Sequence, residues 1–259
     1  MSLVTKETKD AAKIAAFTLA LYGASEVARS MLASNANAAA IAPAVASEWV
    51  CGRLGVAWSD PNAPPLDGKA IARRVGQGAA LAAAVAAVAI AVAVATGAAR
   101  VKAGSFGLVE TFVGAIVPAF VAMRHELVAH GLALRILAQV RSPRVRVAAL
   151  AASSAAYAFG GGATGFEIAA QAALGACTGL LWVTDRGAWR AVAAHAVWLW
   201  LTTVLLRGSV VEVAGRAGAL AGPDGSGFTG LGAALALLAA FVAGALWLRR
   251  KRPEAAPTS

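Results

Sequence analysis

The residues best able to do chemistry in this chain are few, and they sit where charge is scarce. The densest run is Arg124-His125-Glu126-Leu127-Val128-Ala129-His130, with His195 and Glu110 in neighbouring apolar stretches. All three histidines of the chain therefore fall within or at the edge of apolar segments. A desolvated carboxylate beside imidazoles can serve as a general base or hold one in place. At about 100° per residue, Glu126 and His130 share one face of a helix, whereas His125 and His130 stand about 140° apart. A metalloprotease helix would carry His-Glu-x-x-His; here the second His comes one residue late, with Ala129 in the ligand position. The spacing therefore disfavours a metal site, and the reading calls for no metal and no cofactor. The plainer alternative is a buried Glu–His hydrogen bond that only tightens the protein.

The elements that must position these residues belong to a bilayer. Of 259 residues, 59% are hydrophobic and 14% charged, against about 45–50% and about 25% in soluble domains. The apolar residues come in blocks: 75–99, 147–166, 191–206 and 225–248 contain no Asp, Glu, Lys or Arg. About 20 apolar residues cross a bilayer as a helix. The fold class expected is all-α, a polytopic transmembrane helix bundle of about seven to eight spans, near 11–33, 76–98, 104–123, 124–140, 147–164, 166–184, 189–207 and 228–248. The stretch 104–140 can also be read as one bent element, with its break at Pro118 and the polar run 124–130.

Net charge is +10, yet its placement argues against a nucleic-acid partner. Lys69, Arg73 and Arg74 precede one block, Arg100 and Lys102 follow it, Arg141, Arg144 and Arg146 separate two more, and Arg249, Arg250, Lys251 and Arg252 close the last. Cations at span ends anchor loops at headgroups and set orientation. Placing the basic tail in the cytoplasm puts 141–146 and 100–102 there too, and leaves Lys69, Arg73 and Arg74 outside. The expected location is a prokaryotic inner membrane, with the lipid bilayer and a membrane-associated protein as partners.

The chain divides into 1–75, a retained first helix and an interfacial segment running into a Pro-containing loop; 76–248, the bundle; and 249–259, a basic tail. Trp49 and Trp58 suit the headgroup region, and Trp182, Trp189, Trp198 and Trp200 read as interfacial or packing residues. Residues 208–227, with Pro223-Asp224-Gly225, read as a turn-rich connection. The run Gly160-Gly161-Gly162-Ala163-Thr164-Gly165 follows no strand and lacks the Lys of a phosphate loop, so it reads as a break between spans. The Ala and Gly richness suits close helix packing in lipid. Cys51 and Cys177 have neither metal-ligand nor redox spacing.

Taken in order, these segments resemble the CPBP family, prokaryotic relatives of the Rce1-type CAAX prenyl endopeptidases. Pro118 and Arg124-His125-Glu126-Leu127-Val128-Ala129-His130-Gly131-Leu132 resemble its first motif, Glu-Glu-x-x-x-Arg. Ser153-Ser154-Ala155-Ala156-Tyr157-Ala158-Phe159-Gly160-Gly161 stands where the family has Phe-x-x-x-His. Trp189-Arg190-Ala191-Val192-Ala193-Ala194-His195-Ala196-Val197-Trp198 resembles the surroundings of its His-x-x-x-Asn. The likeness covers a CPBP-like core at 104–207. Of the chemical positions Glu126 and His195 are kept; the others are His125, His130, Tyr157, Gly161 and Leu199 in place of Glu, Arg, Phe, His and Asn.

The resemblance implies a glutamic intramembrane endopeptidase. Glu126 or His125 would act as base on the water that attacks a scissile carbonyl, His195 would donate to the oxyanion, His130 would replace the Arg that orients the carboxylate, and Tyr157, Gly161 and Leu199 would line the substrate groove. Losing one oxyanion donor costs about 10²–10³ in rate, so the changed positions raise a second reading, a catalytically silent protein that binds or chaperones a transmembrane partner. A small permease fits less well, because the spans show no two-half symmetry.

Overall fold

The computed structural model describes residues 2–59, 64–105, 107–163, 165–215, 218–220, 228 and 230–250. It is all-α, with one short β ribbon. The helices are α1 (Ser2–Met31), α2 (Ala36–Arg53), α3 (Gly68–Ala95), α4 (Leu108–Val113), α5 (Ile116–His125), α6 (Leu132–Ile136), α7 (Pro143–Gly160), α8 (Phe166–Asp185), α9 (Trp189–Trp200) and α10 (Leu231–Arg250). Several starts follow from capping chemistry. Asn35, Asp67 and Ser142 each accept a backbone N–H from the first turn of the helix they precede, and Pro143 opens α7 at a position whose N–H has no helical partner.

Three helices are long and apolar enough to cross a membrane: Gly68–Ala95, Val109–Ile136 and Phe166–Asp185. Leu231–Trp247 is a shorter apolar helix. Residues 109–136 run as one helical stretch long enough to cross once, in line with the one-bent-element reading of 104–140 rather than a break at 124, and the Arg124–His130 run lies near its middle. Residues 36–53, expected as a short interfacial segment, form an 18-residue helix with Pro43 buried inside it.

The connection after α9 is also more ordered than its turn residues suggest. Strand β1 (Ala99–Ala103) pairs antiparallel with β2 (Val211–Gly215), from Ala99 opposite Gly215 to Ala103 opposite Val211. Pro223-Asp224-Gly225, Lys251 and Arg252 lie outside the described residues.

Following the chain assigns every turn to one of two ends of the bundle. The ribbon, the α7–α8 turn and the C-terminus of α1 share one end, where the Tyr22 and Tyr157 rings meet at 4.8 Å. Residues 54–59, 137–142 and 186–188 share the other. There the Trp58 and Trp189 rings pack at 4.8 Å, tilted by 38°, and the Trp58 carbonyl accepts from the Ala188 N–H. The expected sidedness changes as a result. Residues 100–102 and 141–146 lie at opposite ends, because 109–136 runs once along the bundle, while Lys69, Arg73 and Arg74 share the end of 141–146.

Small residues set the packing distance. Around Gly175 on α8, an added Cβ would stand 2.4 Å from Ser154 Oγ and 2.5 Å from Ser154 Cβ on α7. Overpacking of this kind costs about 1–3 kcal/mol. Gly175→Ala is therefore expected to lower thermal stability in detergent by that amount, whereas Ala at Gly52, with nothing within 4 Å, carries no such clash.

Candidate functional site

At the middle of the long traverse the helix widens. Residues Glu126–Gly131 form a π-helical turn, in which the Leu132 N–H reaches the Leu127 carbonyl, five residues back. Such turns are rare and recur at functional sites. Here the turn overturns the α-helical expectation that His125 and His130 diverge. Their ring centroids lie 5.8 Å apart, and both reach the hydroxyl of Ser154, from His125 Nε2 at 3.1 Å and His130 Nε2 at 2.8 Å.

Glu126 is fully buried at the centre of this network. Its Oε2 meets His130 Nδ1 and Trp182 Nε1, each at 2.7 Å, and its Oε1 meets His195 Nδ1 at 2.7 Å. The indole N–H is a donor only, and an ionised carboxylate accepts only. With Glu126 ionised, three N–H groups converge on one carboxylate and both histidines carry a proton on Nδ1. Nε2 of His130 is then an acceptor, so Ser154 donates to it and accepts from His125 Nε2–H. Thr178 Oγ1 donates to the Leu174 carbonyl and lies 3.4 Å from His130 Nδ1, closing that side.

Glu126, His130 and Ser154 are connected as in a Ser-His-acid triad, but Ser154 is fully buried and does not line the adjoining cavity. The histidines that do line it are His125 and His195. Their rings lie 4.8 Å apart, and His125 also packs on Tyr157 at 4.5 Å. Among the described residues no hydrogen-bond partner is found for His195 Nε2, the nitrogen opposite the one tied to Glu126. The cavity measures about 530 Å³. Gly161 and Leu199 line it as well, so all three groove positions read from the sequence border the same space.

No family model matches the chain, and neither does any curated protein or solved structure.

A second polar cluster borders the cavity. Arg124, buried, donates from Nη2 to Glu26 Oε1 at 3.0 Å and from Nη1 to Ser25 Oγ at 3.4 Å, and Glu26 also accepts from Arg29 Nε at 2.8 Å. The far end of α1 is thus tied into the bundle by charge. Glu110, read as an intramembrane candidate, is exposed in α4 near the ribbon and outside the site.

Ser154, Thr178 and Trp182 are the site residues that sequence reasoning passed over. Ser153-Ser154 in a charge-free span was the available signal, since buried hydroxyls need partners. Trp182 gave none that separated it from a packing tryptophan. Among the described residues, no group of three or more His, Cys, Asp or Glu side chains is placed to hold a metal ion.

Proposed function

We propose that this chain is a divergent intramembrane endopeptidase, a polytopic bundle that hydrolyses a peptide bond of a membrane-associated protein. The observation that carries the proposal is the pairing of His195 with a fully buried Glu126 at 2.7 Å, while His195 itself lines a cavity. A base needs a partner that fixes its tautomer and stabilises its protonated form, and a path to the reacting atoms. His195 has both. The ordered resemblance of 104–207 to CPBP proteases supports the same reading.

In this mechanism His195 Nε2 removes a proton from water, and Glu126 stabilises the imidazolium across Nδ1–H. The hydroxide adds to the scissile carbonyl carbon. The imidazolium then returns its proton to the amide nitrogen as the C–N bond breaks, releasing an amine and a carboxylic acid. Relative to the expectation that Glu126 or His125 meets the water and His195 donates to the oxyanion, Glu126 moves one residue back and His195 becomes the base, because both Glu126 oxygens accept from N–H donors. Tyr157 and Arg124, on the cavity wall, are the nearest candidates to replace the oxyanion donor lost at Leu199.

The sealed state of Glu126 also favours a second reading, a silent protein that binds a transmembrane partner in the same cavity. Comparing the protein termini in membranes of cells carrying the wild-type chain or His195→Asn tests both. Termini present only with the wild-type chain support the peptidase. Identical termini, with the cellular role intact in His195→Asn but lost in Gly161→Trp, support the partner-binding reading and overturn the first.

A further inference from the structure

The cavity is confined to one half of the bundle, and that half is the end poor in positive charge. Its lining comes from the middle and ribbon-end parts of six helices: Glu26 and Arg29 of α1, Arg124 and His125 of α5, Tyr157 of α7, Gln171 of α8, His195 of α9 and Leu237 of α10. Gly161 and Gly162, in the exposed turn after α7 at the same end, form part of its wall.

The cations are distributed the other way. Arg53 closes α2 and Lys69, Arg73 and Arg74 open α3 at the Trp58 end. Arg135, Arg141, Arg144 and Arg146 surround the α6–α7 turn, and Arg186 and Arg190 surround the α8–α9 turn, again at that end. Among the described residues the ribbon end holds only Arg29, Arg100, Lys102 and Arg207, with Arg124 at mid-bundle, alongside the acids Glu26, Glu110, Glu167 and Glu212. Cationic turns stay in the cytoplasm. The opposite-end placement of 100–102 and 141–146 removes the conflict that a two-span reading of 104–140 creates, since all the densest cationic segments now share one side.

The wall also indicates what the cavity holds. Three buried polar atoms of lining residues, Arg124 Nε, Tyr157 Oη and Gln171 Oε1, lack a well-aligned hydrogen bond, although the Arg124 guanidinium and the Tyr157 side chain lie against each other. Buried polar groups are nearly always satisfied, so a guest that brings both acceptors and donors suits them. An extended polypeptide does so with alternating C=O and N–H groups. A lipid phosphate offers acceptors alone, and Glu26 sets negative charge beside Arg29 and Arg124.

We infer that the cavity opens on the non-cytoplasmic face and receives a polypeptide segment presented there. Arg124 and Tyr157 donate to its carbonyl oxygens, and Gln171 accepts from an N–H. The occupant rests on the peptidase reading, whereas the side of opening does not.

Single cysteines added to the full chain read the side directly, because Cys51 and Cys177 are buried. In intact cells, a membrane-impermeant maleimide is expected to label Gly161→Cys and Ser105→Cys at the ribbon end. Gln139→Cys, at the other end, should label only after permeabilisation. The reverse pattern overturns the inference, and agreement between the two ribbon-end positions guards against a local distortion at Gly161. The termini that depend on His195 should map to non-cytoplasmic segments of membrane proteins, and cytoplasmic termini would overturn the substrate class. Correct labelling with no His195-dependent termini leaves the side standing and removes the peptidase reading together with the peptide occupant.

Discussion

Glu126→Gln is expected to abolish processing while leaving the bundle folded. The Gln carbonyl can replace Oε2 and accept from Trp182 and His130. Its amide NH₂ then faces His195 Nδ1, where an N–H now points. Two donors cannot share a hydrogen bond, so His195 shifts its proton to Nε2 and presents a donor to the cavity. An imidazole in the wrong tautomer costs about 10⁴ in rate in the serine-protease case, and a loss of that order is expected here. Glu126→Ala does more. It leaves three buried N–H groups without an acceptor, at about 1–3 kcal/mol each, and should lower the thermal midpoint strongly as well as remove activity. Quantifying the His195-dependent termini and melting both variants in detergent checks the split. Wild-type processing in a folded Glu126→Gln protein would remove the base from the proposed mechanism.

The contrast between Gln and Ala shows which parts of the site were legible in the sequence. A charge in an apolar block is costly, and that alone singles out Glu126 and draws attention to the histidines. What sequence spacing could not supply was the helix type. With an α-helix assumed, His125 and His130 face apart; an i→i+5 turn puts both on Ser154. Nothing in Glu-Leu-Val-Ala-His-Gly marks a π turn, because the choice is settled by packing against α7 and α8 rather than by local propensity. Trp182 was illegible for another reason. A tryptophan near a span end is usual at the headgroups, and only its position opposite Glu126 turns its N–H into a site ligand.

At the level of the fold, the apolar blocks located α3, α7, α9 and α10, whereas the run 104–140 was ambiguous. Pro118 and the polar cluster argued for a break, and in isolation they would expose polar groups to lipid. In the folded chain Arg124 meets Glu26 and Ser25 of α1, and Glu126 meets α8 and α9, so a single helix carries them through the interior. That one resolution decides the sidedness of every later turn. The β ribbon escaped notice because Ala99–Ala103 and Val211–Gly215 are five residues each, too short for alternation to stand out.

His195→Asn isolates the chemistry from the architecture. The Asn side-chain nitrogen stands close to where Nδ1 of the imidazole was, so the donor to Glu126 Oε1 can be kept, and the cavity-facing nitrogen is lost. Stability should therefore change by no more than about 1 kcal/mol, the size of one neutral hydrogen bond. Processing should fall about 10²–10⁴-fold, the range a positioned acid–base group supplies. His195→Leu, which also strips Glu126 of a donor, is expected to lose both stability and activity. His125→Asn serves as the comparison. His125 lines the same cavity but reaches Ser154 rather than the carboxylate, so nothing holds it in a base-competent state, and its loss should cost less than that of His195. If the order were reversed, with His125→Asn silent and His195→Asn active, the base would be His125 and the Glu126–His195 bond would be a brace between helices.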